Sequence, residues 1–84
     1  MFRPKALPGV KTVVIAPGDL ADQSLREARI RERFSVTVLS VERPGVPAIL
    51  HPSADTVVRS GDTVHVFGLP DQLAAFTEAA AIAD

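Results

Sequence analysis

Short runs of β-branched and aliphatic residues recur along the chain, separated by turn-forming residues, and this spacing predicts strands. Four runs have this character: 11–16, 35–42, 47–50 and 63–67. In the last run, Val64 and Val66 fall on one face, whereas Thr63, His65 and Phe67 fall on the other. This alternation predicts a strand with one buried and one exposed face.

Two segments instead carry the signals of helices. Ser24 and Glu27 have the S-x-x-E spacing of a capping box, so we predict a helix that begins at Leu25 and ends near residues 31–33. Pro70 stands where a second helix would take its first residue. Three apolar residues follow it at helical spacing: Leu73, Phe76 and Ala80.

The turns between the strands are marked by proline and glycine. The sequence RPGV at 43–46 has proline second and glycine third, which predicts a type II turn. Pro47 follows and places the third strand at a sheet edge, because proline cannot donate to the ladder. Gly61 permits a positive φ, and Asp62 is predicted to accept hydrogen bonds from nearby backbone N–H groups.

The order of the predicted elements is strand, helix, strand, strand, strand, helix. It predicts a small α+β domain with two helices and a mixed, mostly antiparallel sheet. We expect residues 1–10, which contain two prolines and a glycine, to be a linker or N-terminal extension, and residues 11–84 to be the domain. Residues 51–62 are predicted as a loop with at most a single helical turn.

Composition limits what such a domain can be. A chain of 84 residues with 4 Phe and no Trp, Tyr or Cys has a modest aliphatic core, so we expect a homodimer to add buried area. The absence of Cys excludes disulfides and thiolate zinc sites. A net charge of −1 argues against nucleic-acid binding. No apolar run approaches the ~18 residues of a membrane span, so we expect a soluble chain. The absence of Cys is compatible with the cytoplasm, the location that we expect.

The sequence offers no catalytic constellation. His51 and His65 lack a partner at helical spacing, so we expect neither to bind a metal or to act as a general base. The serines lack the glycine frame of a nucleophile elbow. The glycines form neither a G-x-G-x-x-G nor a Walker motif. We therefore expect no enzyme, no cofactor and no metal.

Four arginines lie within eight residues, which is the most distinctive chemical feature of the chain. They are Arg26, Arg29, Arg31 and Arg33. One interpretation is a solvated helix face with ion pairs to Glu27 and Glu32. Another is an anion site, in which two copies of the cluster about a two-fold axis bind a symmetric dianion. An acidic protein surface or lipid is a third. The residues alone leave these interpretations open.

The ordered set of motifs resembles a known family. SLREARIRERF, SVTVLSVERPG, SGDTVHVFG and LPDQL occur in the order found in the C-terminal ligand-binding module of potassium-transport regulators, the RCK C-terminal or TrkA-C domain. The resemblance covers about residues 11–77. It implies a compact α+β domain that dimerises through its helix and sheet edge. It also implies control of a cation channel or cation/proton antiporter, next to the membrane.

In several members of this family the domain binds cyclic di-AMP at the dimer cleft, and the resemblance makes this nucleotide the leading ligand hypothesis. Three positions match the family's binding pattern: Leu25, Arg31 and Val38. Arg26, Arg29 and Thr37 stand where the pattern has an aliphatic residue, Asp and Asn. The two arginines could strengthen phosphate contacts, and Thr37 keeps a hydroxyl. Alternatives are another nucleotide or anion, or a non-sensing adaptor module that dimerises or docks onto a transport protein.

Overall fold

The computed structural model describes residues 7–81, which form one four-stranded sheet, a two-stranded ribbon and three helices. The elements in chain order are β1 Gly9–Val14, β2 Gln23–Ser24, α1 Leu25–Ala28, α2 Ile30–Phe34, β3 Thr37–Glu42, β4 Ile49–Leu50, β5 Val57–Val58, β6 Thr63–Gly68 and α3 Pro70–Ala81. The sheet has the order β1-β6-β3-β4, and β2 pairs with β5. Within residues 7–81, no helix is long and apolar enough to cross a membrane.

The core lies between the inner face of the sheet and α3, which contacts β1, β6 and α2. Alternation in β6 works as predicted, because Val64 and Val66 are 1% and 0% exposed. The three apolar residues predicted at helical spacing in α3 are all buried. Phe76 also packs edge-on against Phe34 of α2, with ring centroids 5.5 Å apart. The α2 segment is thereby fixed to the core.

The α+β class and the mostly antiparallel sheet are confirmed, and every strand pairing within residues 7–81 is antiparallel. β4 pairs with β3 at the sheet edge, as the proline predicted, but it has only two residues. β1 begins earlier than predicted. Gly9 and Val10 pair with Gly68 and Phe67, so assigning these two residues to the linker was wrong. Residues 1–6 of that linker lie outside the described part of the chain.

The first predicted helix is broken at Arg29, which has φ 54° and ψ 44° in the left-handed region. The break has a packing reason. Ala28 and Ile30 are both buried, yet residues two apart point in nearly opposite directions on a continuous helix. Interrupting the helix between them lets both side chains reach the core. α2 then runs to Phe34, slightly beyond the predicted end.

The turns behave as predicted, but the long loop does not. Gly45 has φ +82°, and the Val46 N–H donates to the Arg43 carbonyl at 3.3 Å, as expected in a type II turn. Gly61 has φ +90°. Residues 51–62 were predicted as a loop with at most a single helical turn, yet they contain the strand β5. A two-residue strand whose partner, β2, lies over thirty residues away leaves no periodic signal in the sequence.

Candidate functional site

A cavity of about 330 Å³ lies between the helical pair α1–α2, the start of β3 and the loop that follows β4. Six of its lining residues are apolar: Leu25, Ile30, Val36, Val38, Pro52 and Ala54. Four are polar or charged: Arg26, Arg31, Glu32 and Thr37. The polar group is exposed and the apolar group is mostly buried or half-buried, so the cavity has an apolar floor and a charged, accessible rim.

The capping box fixes the beginning of α1 beside the cavity. The Ser24 N–H donates to Glu27 Oε1 at 2.9 Å, and the Glu27 N–H donates to Ser24 Oγ at 3.0 Å, as predicted. The next two amides also have acceptors. Leu25 N–H donates to the Thr56 carbonyl at 3.0 Å and Arg26 N–H to the Ala54 carbonyl at 2.9 Å. Because these amides are occupied by the chain itself, side chains must supply the charged contacts to a ligand.

The opposite wall is the open edge of β3. Within the described chain, β4 pairs only with Ser40 and Val41, so Thr37 and Val38 have no strand neighbour on that side. Val38 lies opposite the fully buried Val66, which places it on the inner sheet face, whereas Thr37 is exposed. The open strand edge therefore leaves room for the cavity.

The charged groups at the rim differ in their partners. Arg26 Nη1 lies 2.9 Å from Asp55 Oδ1, and both side chains are largely exposed. In the part of the chain that the structure describes, no carboxylate lies within 4 Å of the Arg31 guanidinium. Arg31 is thus the cavity cation without an internal counter-ion there, whereas Arg26 already has one.

Five of the six predicted ligand-binding residues line this one cavity: Leu25, Arg26, Arg31, Thr37 and Val38. Arg29 does not, and here the structure differs from the prediction. Its left-handed backbone takes it off the helical path, so its exposed side chain does not continue the face that carries the cavity residues. Arg33 is also outside, with its guanidinium 4.9 Å from the centre of the Phe34 ring.

Sequence reasoning missed the other half of the lining. Ile30 and Val36 are floor residues whose apolar character signalled only core packing. Pro52 and Ala54 come from a loop more than twenty residues from α1, and only the fold brings them together. Glu32 was seen as an ion-pair partner of the arginines, which gave no sign that it would line a cavity.

A second charged cluster lies away from the cavity and is centred on a buried carboxylate, that of Asp62. Asp62 is 1% exposed and accepts from Arg43 Nε at 2.8 Å, Arg43 Nη2 at 2.7 Å and the Arg59 N–H at 2.9 Å. The hydrogen bonds from Arg43 hold the pKa of the Asp62 carboxyl below its ordinary value, although burial opposes them. Arg43 also donates to the Val57 carbonyl at 3.2 Å. This cluster ties the type II turn to β5 and to the turn before β6.

The histidines belong to neither cluster. His65 Nδ1 lies 3.0 Å from Thr12 Oγ1, and His65 Nε2 lies 3.4 Å from Glu42 Oε1, across neighbouring strands on the outer sheet face. His51 is exposed in the loop after β4. Among residues 7–81, no three His, Asp or Glu side chains are grouped closely enough to hold a metal ion.

Comparisons with known proteins agree with this fold. Residues 10–81 match the family model of the TrkA-C domain. The chain is 33% identical over 64 residues to potassium channel protein 1 of Methanocaldococcus jannaschii. The aligned region covers 76% of this chain and 19% of that protein. The chain spans less than a fifth of the length of the curated relatives it matches.

Two solved structures have the same fold over most of their length. One is the RCK_C domain dimer of S. agalactiae BusR in complex with c-di-AMP, with a TM-score of 0.76 and 18% identity over 83% of this chain and 86% of that chain. The other is the RCK C domain of the potassium transport protein KtrA in complex with c-di-AMP, with a TM-score of 0.73 and 21% identity over 84% and 81%. The chain therefore belongs to the TrkA-C, or RCK C-terminal, domain family.

Proposed function

We propose that this domain binds a small anionic nucleotide, with cyclic di-AMP as the first candidate, in the cavity between α1–α2 and β3. The supporting observation is the convergence of Leu25, Arg26, Arg31, Thr37 and Val38 on one cavity. They come from α1, α2 and β3, and the fold places these three segments side by side. The two similar folds that carry c-di-AMP make this nucleotide the first ligand to test.

The cavity has groups suited to each part of a nucleotide. The Arg31 guanidinium offers paired N–H donors to phosphate oxygens and has no internal counter-ion in the described chain. The apolar floor, which includes Ile30 and Val38, offers contact to a purine ring. The Thr37 hydroxyl can donate or accept one hydrogen bond.

The size of the cavity supports binding by two copies of the chain. At about 330 Å³ it lies at the lower end of ligand pockets, which run from roughly 300 to 1,000 Å³. A cyclic dinucleotide has two equivalent halves, and a two-fold axis would present one cavity to each half. We therefore propose that the functional unit is a homodimer. The exposed apolar residues at the β4 edge, Leu50 at 69% and Ile49 at 38%, provide surface for such contacts.

As a homodimer, the domain would control a cation channel, potassium transporter or cation/proton antiporter from the cytoplasmic side. A ligand that bridges two copies stabilises the dimer geometry it prefers, and by no more than its difference in affinity between the two geometries. A connecting segment, which we place in residues 1–8, would transmit that preference to the transport protein. The relative from M. jannaschii, a potassium channel protein much longer than this chain, supports such an attachment.

Calorimetry with the purified chain tests the nucleotide. We expect cyclic di-AMP to bind in the micromolar range, and Arg31→Ala to weaken binding at least about 10-fold, because one charge-assisted contact is lost. Arg59→Ala is the matched control, since Arg59 is also exposed but does not line the cavity. Absence of heat at tens of micromolar, or equal affinity in Arg31→Ala and wild type, would refute the proposal.

The alternative is a non-sensing adaptor that dimerises or docks onto a transport protein. The observation in its favour is the exposed apolar β4 edge, which could serve an interface without any ligand. A thermal-shift screen with nucleotides separates the two functions, because a ligand of the native state must raise the Tm. An adaptor shows no shift with any nucleotide.

A further inference from the structure

The ion pair between Arg26 and Asp55 lies at the rim of the cavity. Arg26 Nη1 and Asp55 Oδ1 are 2.9 Å apart, and their side chains are 69% and 77% exposed. Arg26 lines the cavity, whereas Asp55 lies next to the lining residue Ala54. The guanidinium that the sequence suggested for phosphate binding is therefore already in contact with a carboxylate of the same chain.

Backbone hydrogen bonds fix the turn that carries that carboxylate. Asp55 lies between Ala54 and Thr56, whose carbonyls accept from the Arg26 and Leu25 N–H groups at 2.9 and 3.0 Å. The Thr56 N–H also donates to the Ser53 carbonyl at 3.0 Å, which closes a turn around Asp55. Because main-chain bonds fix the position of the turn, Asp55 stays near Arg26 even when its side chain rotates away.

The charges around the cavity cancel as a result. Arg26 and Arg31 carry two positive charges, and Glu32 and Asp55 carry two negative charges. An incoming phosphate meets no net attraction from this set at a distance. Close contact with Arg26 requires Asp55 to give up its own contact, and the remaining carboxylate then repels the phosphate through water. Asp55 therefore opposes anion binding by competition and by charge.

We propose that Asp55 is an internal competitor for the anionic ligand and lowers the affinity of the cavity by occupying Arg26. The inference rests on the proposed function, because it concerns the same cavity. It assigns a role to a residue outside the cavity lining. The ion pair with Asp55 offsets part of the attraction that Arg26 would otherwise have for a phosphate.

Asp55→Asn tests the inference by calorimetry with cyclic di-AMP. Exposed ion pairs are weak, so we expect the Kd to fall about 3-fold, with a range of roughly 2- to 5-fold. The gain should shrink at high salt, because both charges are exposed to solvent. It should also be smaller in an Arg26→Ala background, since Asp55 then has no arginine to occupy and only its charge repulsion of the phosphate remains. A purely structural role of Asp55 would not produce this dependence on Arg26.

Asp22→Asn is the matched control. Arg59 and Asp22 form an ion pair of similar exposure, with side chains 61% and 74% exposed and Arg59 Nη1 3.6 Å from Asp22 Oδ1. Neither residue lines the cavity. Asp22→Asn removes one negative charge away from the cavity, so we expect the Kd for cyclic di-AMP to change less than about 1.5-fold. Wild-type binding with no gain in Asp55→Asn, or an equal gain in Asp22→Asn, overturns this inference alone. If neither the wild type nor either variant binds cyclic di-AMP, the proposed function and the inference are both overturned.

Discussion

The protein contains two arginine–aspartate pairs of nearly equal length and very different surroundings. Arg43 and Asp62 are 2.7 Å apart with side chains 34% and 2% exposed, whereas Arg26 and Asp55 are 2.9 Å apart and 69% and 77% exposed. Asp62 accepts hydrogen bonds from three N–H groups, whereas the one polar contact of the Asp55 carboxylate among the described residues is its ion pair with Arg26. The distance between two charges therefore does not indicate their role.

The difference shows how one side-chain chemistry supports two tasks. When a buried carboxylate with several hydrogen bonds loses its partner, an uncompensated charge is left away from solvent. Such a pair therefore stabilises the fold. An exposed pair gains little and can exchange its partner for a ligand at little cost. Arg26 and Arg31, the arginines of the cavity, are exposed to solvent, and we propose that they contact the ligand.

The comparison is most strongly tested at Asp62. Asp62→Asn removes the charge that Arg43 binds and leaves a poorer acceptor in a buried place, so we expect the free energy of unfolding to fall by about 3 kcal/mol. Urea denaturation measures it. Asp22→Asn, which affects an exposed pair, should cost less than about 0.5 kcal/mol. Equal losses in the two variants would contradict the distinction between the pairs.

Acid should reveal the contribution of the buried Asp62 to the stability of the wild-type protein. The pKa of Asp62 lies below its ordinary value of 3.8, so its contribution to stability is fully present above that value and is lost as the pH falls through the lower folded pKa. We expect the urea midpoint to drop on going below about pH 4, and the drop to be smaller in Asp62→Asn. Parallel pH profiles in the two proteins would show that other carboxylates dominate.

Ser24 connects the scaffold to the cavity, because it caps α1 and is itself buried. Ser24→Ala should lower the free energy of unfolding by about 1 kcal/mol, the usual cost of losing an N-cap. It should also weaken nucleotide binding, since α1 carries two cavity residues. Ser60→Ala is the control: Ser60 is exposed, and its side chain makes no hydrogen bond within residues 7–81. If both variants unfold like wild type, the cap is not important for α1.

Thr37 gives the mildest test and concerns the cavity alone. Thr37→Asn introduces the amide that the family's binding pattern has at this position, so we expect cyclic di-AMP to bind about 3-fold more tightly with little change in Tm. Calorimetry measures the change. Thr63→Asn places the same substitution on β6, away from the cavity lining, and should leave the affinity unaltered. Weaker binding in Thr37→Asn would argue against base recognition at this edge.

Local signals in the sequence were enough for much of the fold. Alternation located β6, the S-x-x-E spacing located the beginning of α1, and Pro70 located the beginning of α3. Gly45 and Gly61 have the positive φ values that their turns require. Each of these features depends on residues within a few positions of one another, which is why a single sequence contains them.

The features that the sequence did not indicate depend on distant partners. The break at Arg29 follows from burying both Ala28 and Ile30, and β5 exists only because β2 pairs with it. The prediction that Asp62 binds local backbone was correct for Arg59, but the larger contribution comes from Arg43, nineteen positions away. The loop wall of the cavity and the Arg26–Asp55 pair also depend on contacts between residues that are distant in sequence. The sequence shows which side chains are present, but it does not show which distant residues they contact in the folded chain.

The left-handed residue between α1 and α2 has a mechanical consequence. Arg26 belongs to the segment that is bonded to the loop after β4, whereas Arg31 belongs to the segment that Phe34 fastens to α3. A single residue joins the two segments at this point of the chain. A phosphate that contacts both guanidiniums would connect α1 to α2 a second time. Ligand binding would then restrict the motion of the two helices relative to each other, in addition to fixing the two arginine side chains.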